Sequence, residues 1–261
     1  MNGRITKKTY IRWKRFLNFS KKIFSNFDLC LSSSQESKNY LHKLGAKNVK
    51  FLGNLKFSQS VEEKIELKKE IRKAILKKNV WCASSTHDTE ETFCGKVHKE
   101  LKSKNKNLLT IIIPRHVERV EKIKSDLQKL NLKVQTYESK EKMKKDTDIY
   151  IVDSYGKTKS FYNYCENVFL GGSLINHGGQ NPLEAARYGC NILHGPNVSN
   201  FYEIYKFLRK NKMSKKISSQ KEIVDILKKL FLENKNTKKI QKKLNNIGRE
   251  ILQNTISEIK T

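Results

Sequence analysis

The sequence lacks any long apolar run. No segment approaches the roughly 18 to 20 apolar residues that a membrane-spanning helix needs, and residues 1–16 lack the apolar stretch of a signal peptide. We therefore expect neither a secreted nor a membrane-spanning chain. Shorter apolar runs, such as LLTIIIP and NVFLGG, are present and can still build the core of a globular protein.

Cysteine pairs with metal-binding spacing are also missing. The five cysteines are scattered and contain no CxxC motif, which is typical of reduced thiols in the cytosol. One candidate metal cluster is Cys82, His87, Cys94 and His98, but its members are divided between a predicted strand and a predicted helix. We therefore predict no metal site. A GxSxG motif is absent, and no Ser/His/Asp or Cys/His set has a supporting motif.

Acidic residues are few. The chain has 54 Lys and Arg against 26 Asp and Glu, which gives a formal net charge of +28. Lysines occur in nearly every predicted helix, which favours a drift of composition over a dedicated nucleic-acid surface. Attraction to an anionic membrane, worth about 1 kcal/mol per basic residue near the surface, is a third explanation. Composition alone does not separate the three.

The first 79 residues predict a small α/β segment and a connector. Residues 1–26 predict a basic amphipathic helix that carries Ile11, Phe16, Phe19 and Ile23. The strands FDLCLSS and NVKFLGN flank a helix over 34–44, for which Gly45 is the expected C-cap. The charged segment 58–79 has neither glycine nor proline and predicts a connector helix.

From residue 80 onward, strands and helices alternate. The predicted strands are VWCASS, LLTIIIP, LKVQTY, DIYIVD, NVFLGG and CNILHG, and the predicted helices cover 88–104, 116–130, 158–165, 182–188 and 200–210. This alternation predicts a parallel sheet covered on both faces, a Rossmann-like α/β domain. Two further helices are expected at about 219–233 and 236–259. Ligands of such sheets bind outside the carboxyl ends of the strands.

Three predicted strands are followed by polar residues. The segment Ser84–Asp88 can offer backbone N–H groups to an anion, or it can be an ordinary helix start in which Asp88 and Glu91 form a capping box. Arg115 follows the second strand and suits bidentate phosphate contact, although an ordinary surface arginine is the alternative. The later segment SYGKT is not a P-loop, because Ile151 stands where the first glycine is required.

The segment GGSLINHGGQNPLEAARYG, residues 171–189, is the strongest site candidate. Its two glycine pairs allow backbone to approach a ligand closely. Asn181, Pro182 and Glu184 match the N-cap, N1 and N3 positions of a helix, which explains them structurally but does not explain the glycines. The Glu184 carboxylate can accept hydrogen bonds from two sugar hydroxyls. We therefore predict a ligand site here.

Six blocks in order resemble the 3-deoxy-D-manno-octulosonic acid (Kdo) transferases of lipopolysaccharide assembly. They are GNLKFS, SSTHDTEE, IIIPRH, VDSYGK, GGSLINHGGQNPLEAA and GPNVSNFYEI. The resemblance implies the GT-B glycosyltransferase fold, with a Rossmann-like C-terminal donor domain. It also implies inverting, metal-independent transfer of Kdo from CMP-Kdo to a lipid A precursor, without a cofactor.

The resemblance also implies site residues. CMP would be bound by Pro114, Arg115, Tyr155, Gly156, Lys157, Asn181, Pro182, Leu183 and Glu184. Lys56 matches the family's lysine that stabilises the transition state. Three motifs depart from the family: YGK stands in place of MGE, Ser58 in place of aspartate, and Gln180 in place of histidine.

The resemblance also suggests that the chain is incomplete. NGRITKKTY looks like a family segment that lies inside the N-terminal domain, shortly before its end. We expect 1–57 to be a remnant of the acceptor domain, 58–79 a connector helix and 80–261 the CMP-sugar-binding domain with its C-terminal helices. The family's general base would then lie outside this chain, and we expect no transfer by the chain alone.

The expected function is therefore that of a Kdo transferase or its donor-binding half. Its partners would be the CMP-Kdo donor, a lipid A precursor as acceptor, and the inner membrane through peripheral contact. The expected location is cytoplasmic, including the cytoplasmic face of the inner membrane, and nucleic acid is not an expected partner. The alternative is a non-catalytic nucleotide-sugar or RNA-binding module on the same fold.

Overall fold

The computed structural model describes residues 1–59, 66–138, 142–233 and 237–260, with side chains in the last range from 241 onward. The chain divides into two compact units. The first comprises Met1–Ser60 and Lys242–Thr261, and the second comprises Val61–Gln241. No helix within the described ranges is both long and apolar enough to cross a membrane.

The first unit is a small α/β layer. Its elements are α1 (Lys7–Lys14), α2 (Leu17–Phe24), β1 (Cys30–Leu31), α3 (Gln35–Lys43), β2 (Val49–Lys50), a 3-10 helix (Leu55–Ser58) and most of the last helix, α11 (Thr237–Lys260). The strands β1 and β2 pair in parallel. Leu41, Ala46 and Val49 form its buried cluster. Gly45 has φ +107° at the end of α3, which confirms the predicted glycine C-cap.

The predicted helix over residues 1–26 is two helices. Phe16 leaves the helical backbone (φ −119°, ψ 52°) between α1 and α2. The Ser20 hydroxyl donates to the carbonyls of Trp13 (2.7 Å) and Phe16 (2.9 Å), so the break has hydrogen bonds of its own. A side-chain hydroxyl that competes for backbone carbonyls in this way favours a bend or break over a continuous helix.

The C-terminal helix groups with the N-terminal residues, whereas the predicted domain 80–261 included it. Two glycines allow this close packing. A Cβ on Gly248 would lie 2.4 Å from the Phe57 carbonyl oxygen, and one on Gly53 would lie 2.5 Å from the Ile251 side chain. Close approach of this kind depends on tertiary contacts, so helical periodicity alone does not indicate it.

The predicted connector helix over 58–79 is wrong as a single element. The helix α4 covers only Lys69–Leu76, and Lys68 before it is not helical (φ −47°, ψ 134°). The next strand already begins at Asn79. Residues 60–65 of the predicted helix lie outside the described residues.

The second unit contains a seven-stranded parallel sheet in the order β5-β6-β4-β3-β7-β8-β9. Its strands are β3 (Asn79–Thr86), β4 (Leu108–Pro114), β5 (Val134–Thr136), β6 (Ile149–Ile151), β7 (Asn167–Leu170), β8 (Asn191–His194) and β9 (Ser214–Lys216). Its helices are α4, α5 (Glu90–Lys102), α6 (Val120–Gln128), α7 (Thr158–Tyr162), α8 (Leu183–Arg187), α9 (Tyr202–Lys210) and α10 (Gln220–Leu232).

This sheet confirms the predicted Rossmann-like α/β fold. The fully buried strand β4 forms the centre of the core with residues from β3 and β7. Among the described strands of this sheet, the edge strand β9 was not predicted, because its polar sequence SKK has no apolar pattern. The chain runs from β3 outward to β4 and then returns to the opposite side of β3 with β7. Strand order therefore reverses beside β3, the position at which sheets of this type bind ligands.

Candidate functional site at the carboxyl edge of the sheet

The loops that follow β3, β4 and β7 are held together at the carboxyl edge. The backbone N–H of Arg115, after β4, donates to the Thr86 carbonyl (2.9 Å), and that of Gly171, after β7, donates to the Ser84 carbonyl (2.9 Å). These three strands are neighbours in the sheet. The segments singled out in the sequence, from SSTHD to GGSLINHGGQNPLE, are thus brought to the point where strand order reverses.

A buried carboxylate shapes the loop after β7. Glu90, 1% exposed, accepts four backbone N–H groups. Its Oε2 accepts from His87 (3.0 Å) and Gly172 (2.7 Å), and its Oε1 accepts from Ser173 (3.1 Å) and Leu174 (3.0 Å). The backbone N–H of His87 was one of the groups considered for binding an external anion. It already donates its hydrogen bond to the protein's own Glu90 carboxylate.

The capping box of Asp88 and Glu91, one of the two alternatives for this segment, does not form. Thr89 precedes the first residue of α5 in a left-handed conformation (φ +73°) and makes no side-chain cap. Asp88 and Glu91 instead bind Arg119, at 2.8 Å and 3.1 Å. The role of Glu90 was not predicted, because the segment DTEE contains three acids and local spacing does not reveal which of them is buried.

The two arginines after β4 differ in their partners. Arg119 is bound by two carboxylates and is mostly enclosed. Arg115 is exposed, and within the described residues its guanidinium makes no hydrogen bond or ion pair. Pro114, also predicted to contact CMP, is buried in β4 beside Thr86. Of Pro114 and Arg115, the two residues predicted to contact CMP here, Arg115 therefore has the side chain that can reach a phosphate.

The loop Tyr155–Lys157 follows β6. Tyr155 is 65% exposed, and its hydroxyl donates to Oε2 of Glu118 (3.3 Å), which lies after β4. Gly156 has φ +76°, and a Cβ there would meet no atom within 4 Å. The loop is therefore open to solvent at the same edge as Arg115.

The glycine pairs after β7 have a structural reason. A Cβ on Gly171 would lie 2.4 Å from the Ser85 carbonyl oxygen, and one on Gly178 would lie 2.5 Å from the Asn200 amide nitrogen. The interpretation that these glycines serve ligand approach is therefore unnecessary for Gly171 and Gly178, since internal packing already requires them.

The segment after the second glycine pair begins α8. Asn181 Oδ1 accepts the Leu183 N–H (3.2 Å). The helix begins at Leu183, so Pro182 and not Asn181 holds the N-cap position, one residue later than expected. Pro182 and Leu183 are buried, and their side chains serve packing. Glu184 is partly exposed, and its carboxylate makes no hydrogen bond within the described part of the chain. Of these four predicted contacts, Glu184 has the side chain that is free to bind hydroxyl groups.

Lys56 belongs to the first unit. It lies exposed in the 3-10 helix, where its N–H donates to Asn54 Oδ1 (3.0 Å). Asn2 Oδ1 in turn accepts the Leu55 N–H (3.1 Å). The NGR segment at the N-terminus therefore orders the GNLK loop.

The residues considered as a metal cluster are dispersed. His98 is buried, where Nδ1 lies 2.8 Å from Thr110 Oγ1 and Nε2 lies 3.4 Å from Asp148 Oδ1. Within the ranges that the structure describes, no three His, Cys, Asp or Glu residues come together as metal ligands.

Comparison with known proteins identifies relatives. Residues 1–59 match the family model for 3-deoxy-D-manno-octulosonic-acid transferase (kdotransferase). The 3-deoxy-D-manno-octulosonic acid transferase of Rickettsia bellii is 30% identical over 236 residues, 88% of this chain and 55% of that protein. The Haemophilus influenzae transferase is 26% identical over 255 residues, 96% of this chain and 59% of that protein. The chain thus spans somewhat more than half the length of these curated relatives.

Two solved structures are also similar to this chain. The C-terminal CMP-Kdo binding domain of WaaA from Acinetobacter baumannii is 25% identical with a TM-score of 0.61, over 70% of this chain and 98% of that domain. Anabaena Alr3699/HepE, solved with UDP and glucose, is 10% identical with a TM-score of 0.52, over 100% of this chain and 70% of that one, and it supports the fold alone.

The seven-stranded parallel sheet, with its loops at the carboxyl edge, has the fold of the GT-B glycosyltransferases. Among proteins of that fold, the chain is similar in sequence to Kdo transferases over most of its length. The resemblance noted in the six sequence blocks is thereby confirmed.

Proposed function

We propose that this chain binds CMP-Kdo and supplies the donor side of Kdo transfer to a lipid A precursor. The observation that carries the proposal is the exposed guanidinium of Arg115 at the point where strand order reverses, without a carboxylate partner in the described residues. The solved WaaA domain of this fold is named for CMP-Kdo binding, which supports the choice of ligand.

The polar residues at this edge have separate roles in this proposal. Arg115 contacts the phosphate in a bidentate manner. The Glu184 carboxylate accepts hydrogen bonds from the ribose hydroxyls. The loop Tyr155–Lys157 flanks the nucleotide from the neighbouring strand end, and Asn181 holds the start of α8 beside it.

The proposed reaction is an inverting displacement without a metal ion. The acceptor hydroxyl oxygen forms a bond to the anomeric carbon of Kdo, the bond from that carbon to the phosphate oxygen breaks, and CMP leaves. The hydroxyl proton passes to a general base.

Nucleotide calorimetry tests the ribose contact. We expect Glu184→Ala to weaken CMP binding by about 1.5 to 3 kcal/mol, the range for hydrogen bonds to a charged group. CMP that lacks both ribose hydroxyls should bind wild type and Glu184→Ala equally, because the contact is then already lost. Glu121→Ala removes the same charge from an exposed position on α6 and is the control.

Two results would contradict this proposal. Equal CMP affinity in wild type and Glu184→Ala would remove Glu184 from the site. Failure of the wild-type chain to bind CMP, together with tight binding of RNA, would favour the alternative of an RNA-binding module on the same fold.

Peripheral membrane contact is part of the proposal and rests on α1 and α2. Phe16 is 69% exposed and Phe19 is 60% exposed. With Arg12 and Trp13 they line a hollow of about 410 Å³. Residues 1–27 contain eight Lys and Arg and no acid, so this surface is complementary to an anionic, partly apolar partner.

Vesicle sedimentation tests this contact. We expect the chain to bind vesicles that contain phosphatidylglycerol more strongly than vesicles of phosphatidylcholine alone, since anionic lipid attracts the cations. Phe16→Ser with Phe19→Ser should release it. Leu232→Ser, which removes an apolar side chain exposed elsewhere (88%), is the control. Equal sedimentation with both vesicle types would exclude this contact.

A further inference from the structure

Three histidines gather at the carboxyl edge of the sheet, from the ends of three neighbouring strands. His87 follows β3 directly, His116 follows β4, and His177 lies in the loop after β7. The His87 ring centroid lies 4.2 Å from that of His177 and 5.8 Å from that of His116. We call these residues the imidazole cluster.

The cluster is closed on one side and open on the other. His87 is 9% exposed, and its Nε2 accepts from the Gln180 amide (3.2 Å). His116 and His177 are exposed. An anion bound at this edge could therefore contact the exposed rings of His116 and His177 directly. The buried ring of His87 would interact with the anion's charge at longer range.

The charges around the cluster are unequal. Arg115 has no carboxylate partner among the described residues, whereas Arg119 is neutralised by Asp88 and Glu91. His116 Nδ1 lies 3.3 Å from Glu118 Oε1. Glu90 is saturated by backbone N–H groups, including that of His87 itself.

This environment opposes protonation of the inner ring. Burial, followed by His177, His116 and the two arginines, lowers the pKa of His87 to about 4. A bound phosphate would add negative charge beside Arg115, and nearby negative charge favours the imidazolium form.

We propose that the imidazole cluster takes up a proton when the phosphodiester of a nucleotide sugar binds against Arg115, so that the donor binds more tightly as the pH falls. This inference rests on the proposed function and names the proton linkage of that same site. Gln180 can serve both states, because its amide can donate to neutral His87 or turn to accept from the protonated ring.

The sign of the pH dependence follows from linkage. A group whose pKa rises on binding takes up a proton between its free and bound pKa values, and the ligand then binds more tightly at lower pH. The free value for His87 is about 4. If binding restores a value of about 6, close to that of an ordinary histidine, affinity should rise about three- to fivefold between about pH 7.5 and 5.5.

Calorimetry with the methyl phosphodiester of CMP tests the proposal. This probe has no phosphate pKa of about 6, unlike CMP itself, so a proton taken up on binding does not come from the phosphate. Titrations at about pH 5.5 in two buffers of different ionisation enthalpy should show uptake of a fraction of a proton per ligand. His177→Asn should reduce this uptake and flatten the pH profile. His42→Asn, an exposed histidine on α3, should change neither.

The outcomes separate the two proposals. Binding without proton uptake, or uptake that is unchanged in both His177→Asn and His87→Gln, would overturn the inference and leave the proposed function intact. No binding of the probe or of CMP at any pH would overturn the proposed function together with the inference.

Discussion

Replacing Glu90 by glutamine is expected to lower the free energy of unfolding by about 3 kcal/mol. Glutamine has almost the same volume, but one of the two oxygens that accept the four N–H groups becomes an NH₂ group. Two charge-assisted hydrogen bonds are then lost, each worth about 1.5 to 3 kcal/mol, and their N–H groups stay buried. The measurement is the shift in the midpoint of urea unfolding.

The control for this change is Glu121→Gln. Glu121 is exposed on α6, and substitutions at such positions are usually worth less than about 0.5 kcal/mol. If Glu90→Gln is no less stable than Glu121→Gln, the carboxylate does not hold the loop Gly171–Leu174 in place.

Replacing Arg115 by alanine is expected to weaken CMP binding by about 10- to 100-fold. The guanidinium is exposed and unpaired among the described residues, so its removal costs the phosphate contact and exposes no buried charge. Hydrogen bonds to charged groups are worth about 1.5 to 3 kcal/mol, which gives this range. Arg115→Lys should recover only part of the loss, because an ammonium group cannot bind the phosphate in bidentate fashion.

Lys106→Ala is the matched control for this second change. It also removes one exposed positive charge, but at the start of β4, the opposite edge of the sheet. The general effect of net charge on an anionic ligand is therefore the same in both variants. Equal losses in Arg115→Ala and Lys106→Ala would mean that CMP responds to net charge and not to a site.

The core strands could be predicted because they are continuous apolar runs. LLTIIIP is buried along its whole length as β4, the pattern expected of a parallel strand covered on both faces. The edge strand β9, with the sequence SKK, carries no such signal. Strand pairing at an edge is decided by a neighbour that is distant in sequence, here β8.

The candidate site was predicted in outline and not in detail. Strand alternation placed Arg115 and the segment 171–184 at one edge, because carboxyl ends of parallel strands lie together. The role of Glu90 and the packing reason for Gly171 and Gly178 depend on contacts between distant segments. The association of α11 with residues 1–60 has the same origin.

The most direct measurement is a crystal structure of the chain with CMP. The account predicts the phosphate within hydrogen-bond distance of the Arg115 guanidinium, the ribose hydroxyls beside the Glu184 carboxylate, and both at the carboxyl edge of β3, β4 and β7. A nucleotide bound at the amino edge near Lys106, or in the unit formed by residues 1–60 and 242–261, would contradict it.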